Sequence, residues 1–92
     1  MSEHRHQHTE TKNVLNRISR AAGHLEAIKK MVEEERDCGD ILIQLAAVRS
    51  AINRIGQIIL SDHMEHCVAH ALEDGDREAL DSFNEAIARF LK

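Results

Sequence analysis

Two apolar runs with one shared rhythm constrain this chain more than any other feature. Val14, Ile18, Ala21, Leu25, Ile28 and Val32 recur at alternating steps of four and three, and Ile41, Leu45, Val48, Ile52, Ile55 and Ile59 repeat the pattern. Such steps gather every member on one side of an α-helix and would scatter them over both faces of a strand. The spacing predicts an amphipathic helix over 11–35 and a second from near Asp40, a suitable N-cap, to about Leu72. EDGD at 73–76 reads as a turn, with Gly75 as the breaker and Asp76 as the cap of a short third helix, REALDSFNEAIARFLK. The absence of Pro, Trp and Tyr, and a hydrophobic share carried mainly by Ile, Leu, Val and Ala, fit an all-α chain of three helices. Gly23 and Gly56 fall inside the two long helices at a cost of about 1 kcal/mol each relative to Ala. A close packing contact would justify each, and plain tolerance would serve as well.

A single domain of 92 residues has a marginal core of its own. A helix of about 30 residues is roughly 45 Å long, more than a compact chain of this size can cover. The stripes therefore need a partner: an antiparallel helical hairpin pairing with a second copy as a dimeric four-helix bundle, with a dimer of dimers beyond it. The first ten residues, MSEHRHQHTE, have no apolar periodicity and carry His4, His6 and His8, so 1–10 is read as a flexible tail and 11–92 as the domain. No segment suits export or membrane insertion, and the expected location is the cytoplasm.

Charge is distributed unevenly. The formal net charge is −4, yet Thr11 to Lys30 holds five basic residues against Glu26 alone, and Arg49 and Arg54 are the only charges from Ile41 to Leu60. A polyanion meets that local field rather than the net charge.

The second stripe runs into DHMEHC at 62–67. His63 and Cys67 are four apart, one turn of helix, so both can reach one ion. His66 and His70 extend that face but read more simply as surface residues. Cys38 lies 25 residues before His63, roughly 37 Å along a continuous helix, which one chain cannot close. In an antiparallel two-fold dimer the start of one second helix meets the end of the other. Cys38 of one chain would then join His63 and Cys67 of its partner. Two thiolates and an imidazole suit Cu(I), and a fourth nitrogen from the tail would suit Ni(II) or zinc. Removal of Met1 would also put Ser2, Glu3 and His4 at a free amine, a short square-planar motif. The two cysteines alone could instead form a persulfide- or redox-responsive link. No nucleophile, base and orienting group are set out as in an enzyme.

These residues resemble the CsoR/RcnR family of small all-helical bacterial repressors. The resemblance rests on LNRISRAAGHLEAIKKMVEEERDCGDILIQLAAVRSAINRI followed by SDHMEHC, and covers nearly all of the chain after the tail. It implies a homodimer of hairpins assembled as a homotetramer that binds operator double-stranded DNA when unliganded and releases it on sensing its inducer. It maps the copper sensors' ligands onto Cys38, His63 and Cys67, and the nickel branch's additional histidine onto His6. Persulfide-sensing members match both cysteines but lack the His at position 63. The family's DNA-binding basic face falls on Arg17, Arg20, Arg49 and Arg54, against the simpler reading of solvated surface charges. Copper sensors commonly carry a Tyr before the first ligand cysteine and a Glu in the third helix. This chain has Asp37 at the first position and, near Ser82, no Glu at the second.

Overall fold

The structure, a computed structural model, describes residues 10–63 and 69–92. Among them it is all-helical: α1 Thr11–Glu33, α2 Cys38–His63, α3 Ala69–Asp74 and α4 Arg77–Leu91. The first helix ends two residues earlier than its periodicity predicts. The second is expected to reach about Leu72; α2 is described to His63 and α3 over Ala69–Asp74, and residues 64–68 between them lie outside the described residues. Residues 1–9 of the tail, with His6, lie outside them too.

The turn between α1 and α2 is closed by backbone bonds. Glu35 N–H donates to the Val32 carbonyl and Arg36 N–H to the Met31 carbonyl, each at 3.0 Å. This is the pairing of a Schellman motif, which requires a left-handed residue between them. Glu35 fills that place with φ 55°, where glycine would be unstrained. The chain then passes directly into α2, whose cap is Asp37 rather than Asp40. The Asp37 carboxylate accepts the Asp40 N–H at 3.1 Å, and its carbonyl accepts the Ile41 N–H at 3.1 Å. The earlier aspartate prevails because the motif ends at Arg36 and the next residue can begin helix at once. Gly75 has φ 68° and the Asp76 carboxylate accepts the Ala79 N–H at 3.1 Å, as the turn sequence predicts.

α1 and α2 form an antiparallel hairpin, and the two stripes divide within it. Ile28, Val48 and Ile55 are buried and Val14, Ala21 and Ile41 half-buried, members spaced by seven that turn toward the opposing helix. The intervening members, Ile18, Leu25, Val32, Leu45, Ile52 and Ile59, are 40–56% exposed. Full burial of such a side chain is worth about 1.5–3 kcal/mol, so six half-exposed ones leave on the order of 5 kcal/mol unrealised. The molecule is correspondingly elongated, 54 × 26 × 19 Å with a radius of gyration of 17.2 Å, against roughly 12 Å for a compact chain of this length.

α4 lies along the C-terminal half of α2, its Phe83, Ile87 and Phe90 facing Ile55, Gly56 and Leu60 across an apolar groove. A Cβ on Gly56 would overlap the Phe90 ring, so this glycine marks a close contact, whereas nothing lies within 4 Å of a Cβ built on Gly23.

Candidate metal centre

The inward register of α2, Ile41, Val48 and Ile55, continues into Asp62. This carboxylate is only 5% exposed, and no buried side-chain oxygen or nitrogen among the described residues lacks a partner. It sits at the N-terminal end of α1, where Glu10 provides no side-chain cap and the first turn holds no acid. A negative charge there complements the positive end of the helix dipole. Asp62 thus ties the end of α2 to the start of α1, beside the first candidate ligand.

That candidate, His63, lies at the end of the described part of α2, and Cys38 is the helix's first residue. The Cys38 thiol is free and exposed, and His63 is half-buried. A helix of 26 residues separates its ends by roughly 37 Å, so the structure sets these two donors at opposite ends of the molecule. No group of three or more His, Cys, Asp or Glu side chains among the described residues of one chain could hold an ion. Thiolate sulfur and imidazole nitrogen are nonetheless a donor pair for a soft or borderline cation, so the chemistry fits a metal once a second chain supplies the missing half. Cys67 and His6 lie outside the described residues, as does His66. His70 faces the Asp74 carboxylate at 3.2 Å on the exposed side of α3, which supports its reading as a surface residue.

Two features of this region were not found from the sequence. The His63 imidazole packs on the Phe83 ring, centroids 4.4 Å apart and planes tilted by 39°. The signal was present in the steps from Leu80 to Phe83, Ile87 and Phe90, which give α4 an apolar side, but nothing in them says where that side docks. The second feature is a cavity of about 200 Å³ lined by Thr11, Val14, Leu15, Ile59, Asp62 and His63. It places the root of the N-terminal tail beside His63 of the same chain.

The expected DNA-facing arginines separate into two kinds. Arg17 and Arg54, from different helices, line one polar cleft with Glu10, Gln57, Ser61 and Asp62. Arg17 Nε donates to Asn13 Oδ1 at 3.3 Å, Asn13 in turn donates to Glu10 Oε1 at 3.0 Å, and Arg54 donates to Gln57 Oε1 at 3.4 Å. Arg20 and Arg49 are exposed and lie outside this cleft. The acid-free setting of Arg54 along the chain does not carry over to three dimensions, because folding brings Glu10 and Asp62 to its cleft. At the middle of the hairpin, His24 Nε2 and Gln44 Oε1 meet at 2.7 Å and join the two helices.

Comparison with known proteins agrees with this architecture. A family model described as metal-sensitive transcriptional repressor matches residues 10–89. The copper-sensing transcriptional repressor CsoR of Bacillus subtilis is 38% identical over 84 residues, 90% of this chain and 83% of that protein. The crystal structure of the copper-sensing repressor CsoR with Cu(I) from Geobacillus thermodenitrificans superposes with a TM-score of 0.82 at 37% identity, over 90% of this chain and 88% of the other. The nickel-responsive transcriptional regulator InrS superposes with a TM-score of 0.72 at 42% identity, over 95% of this chain and 99% of the other.

Proposed function

The chain belongs to the metal-sensitive transcriptional repressor family, and on that premise we propose that it holds operator DNA when metal-free and releases it on binding Cu(I). Cys38 of one chain provides the ligand set together with His63 and Cys67 of a second. The observation that carries this reading is that Cys38 and His63 stand at the two ends of the described α2, a helix apart in one chain. Two α2 helices side by side and antiparallel bring each start to the other's end, so a two-fold dimer has two equivalent sites. The exposed apolar seam of the hairpin supports the same dimer, since a second copy is a self-complementary cover for it. Dimers then pair as a tetramer, with residues 11–92 acting as one DNA-binding and metal-sensing unit and 1–10 as its tail.

Bound Cu(I) supplies a bridge between chains. The residues do the rest: His63 is joined to Asp62, Asp62 lies against the start of α1, and Arg17 stands on α1 beside Arg54 in the same cleft as Asp62. In the DNA-bound form Arg17, Arg20, Arg49 and Arg54 face phosphates, which fix affinity and its salt dependence. A change at His63 that turns Arg17 and Arg54 toward Glu10 and Asp62 withdraws them from that role. Metal and DNA must weaken each other's binding by the same factor.

A second reading is favoured by one observation. The tail begins at a point sharing a cavity with His63, and His6 is five residues before Thr11, a reach of up to roughly 17 Å. With His6 as a fourth ligand the set suits Ni(II). A persulfide or redox response would use Cys38 and Cys67 and would not require His63.

Anaerobic titration of operator-bound protein with Cu(I) and with Ni(II) tests these readings. Release by Cu(I) that is lost in both Cys38→Ala and His63→Ala and retained in His6→Ala is the expected result. A Ni(II) response lost in His6→Ala, with little response to Cu(I), selects the nickel reading. Release by persulfide that persists in His63→Ala selects the thiol reading.

A further inference from the structure

A ligating imidazole has to be held in one orientation, because rotation about Cβ–Cγ swings its donor nitrogen off the metal. Here a ring lies against the imidazole: Phe83 of α4, with centroids 4.4 Å apart and planes tilted by 39°. At that separation the two rings are in van der Waals contact, and turning the imidazole edge-on would drive it into Phe83. We propose that Phe83 is the positioning residue of the metal centre, orienting His63 for ligation and transmitting that ligation to α4. This rests on the proposed role of His63 as a ligand.

The surroundings of Phe83 make it suited to both tasks. It is half-buried, and its helix is held on α2 independently, by Ile87 and by Phe90 over Gly56. The ring is therefore anchored from a second point and does not depend on His63 for its place. When the partner's thiolate and His63 draw toward a shared ion, the imidazole moves against a ring fixed to α4, and the helix has to follow or resist. α4 thereby becomes part of the sensing apparatus. Phe90 provides the control, since it secures the same helix at Gly56 and belongs to the other end of the contact.

The test compares Phe83→Leu, Phe83→Met, Phe83→Tyr and Phe90→Leu in the full-length protein. Circular dichroism and sedimentation establish which variants retain fold and assembly, and Phe83→Met serves if Phe83→Leu does not. In metal-free protein, the His63 ring protons should show an upfield ring-current shift that disappears in Phe83→Leu and Phe83→Met and remains in Phe83→Tyr. In competition with a chromophoric Cu(I) chelator, removing the ring should weaken binding at least tenfold, while metal-free operator affinity stays within twofold. Phe83→Tyr should restore wild-type Cu(I) affinity, and Phe90→Leu, which loosens α4 but keeps the ring on His63, should weaken it by clearly less than the ringless Phe83 variants do. Wild-type Cu(I) affinity in the ringless variants overturns the proposal. So does an equal loss in Phe90→Leu, which would reduce Phe83 to a general anchor of α4. If the wild type binds Cu(I) but does so equally well in His63→Ala, the ligand assignment has failed instead, and the ring-current comparison still decides whether Phe83 orients His63.

Discussion

Gly56 shows how a residue's meaning depends on what folding places beside it. In sequence it is indistinguishable from Gly23: each interrupts a long amphipathic helix at a cost of about 1 kcal/mol relative to Ala. In the structure a Cβ at one would meet the Phe90 ring, and a Cβ at the other would meet nothing within 4 Å beyond its own helix backbone among the described residues. Helix propensity alone would make Gly56→Ala stabilising. The Phe90 contact reverses the sign, and overpacking should cost about 1–3 kcal/mol, read as a lower urea midpoint at fixed protein concentration. The same limit applies to the candidate ligands. His63 was legible as a candidate because a thiolate, Cys67, follows it by one helical turn, and Cys38 because helix length forbids its meeting His63 in one chain. Phe83 was not, since an aromatic in an apolar stripe carries no mark of what it touches. Asp40 is the cap the sequence suggests, and the closure of the preceding turn at Arg36 moves that role to Asp37.

The turn before α2 also stores strain at the level of the element. Glu35 occupies the left-handed position of the Schellman motif, where an L-residue with a Cβ costs about 1–2 kcal/mol. It also adds a negative charge to the helix end that already favours positive ones. Glu35→Gly is expected to raise stability by about 1 kcal/mol despite the greater freedom of glycine in the unfolded chain. Denaturant unfolding of the two proteins at equal concentration checks this, and an unchanged or lower midpoint would show that the strain is relieved elsewhere. The helices themselves were readable because steps of four and three persist through both stripes. Which members turn inward was not, because the two interleaved sets of seven-residue steps are equivalent until the hairpin closes. α4 was predicted as a helix from its turn and cap, but its docking on α2 depends on a glycine gap that has no separate signature.

At the scale of the whole molecule, the hairpin leaves much of its apolar surface uncovered. Six large apolar side chains of the two stripes remain 40% exposed or more, an extent that points to an interaction surface. Among the described residues no helix is long and apolar enough to cross a membrane, and a second copy accounts for the seam with the fewest additional parts. Ile52→Glu places a charge in its middle, and sedimentation should show a smaller species that has lost operator binding along with assembly, while a wild-type mass would mean that the seam faces something else. The sequence raises the expectation of a partner from helix length alone, and the exposed apolar side chains are what the structure adds in its support. The central claim is that each metal site is shared between chains, and a heterodimer tests it most directly. One chain carries Cys38→Ala and the other His63→Ala, and the mixed species is isolated by two affinity tags. If sites are shared, one of the two is assembled wholly from unmutated ligands and the other lacks both residues. The heterodimer should therefore bind one Cu(I) with wild-type affinity, although neither mutant homodimer does. Two equally weakened sites, with none at wild-type affinity, would place the ligands within single chains and contradict the account.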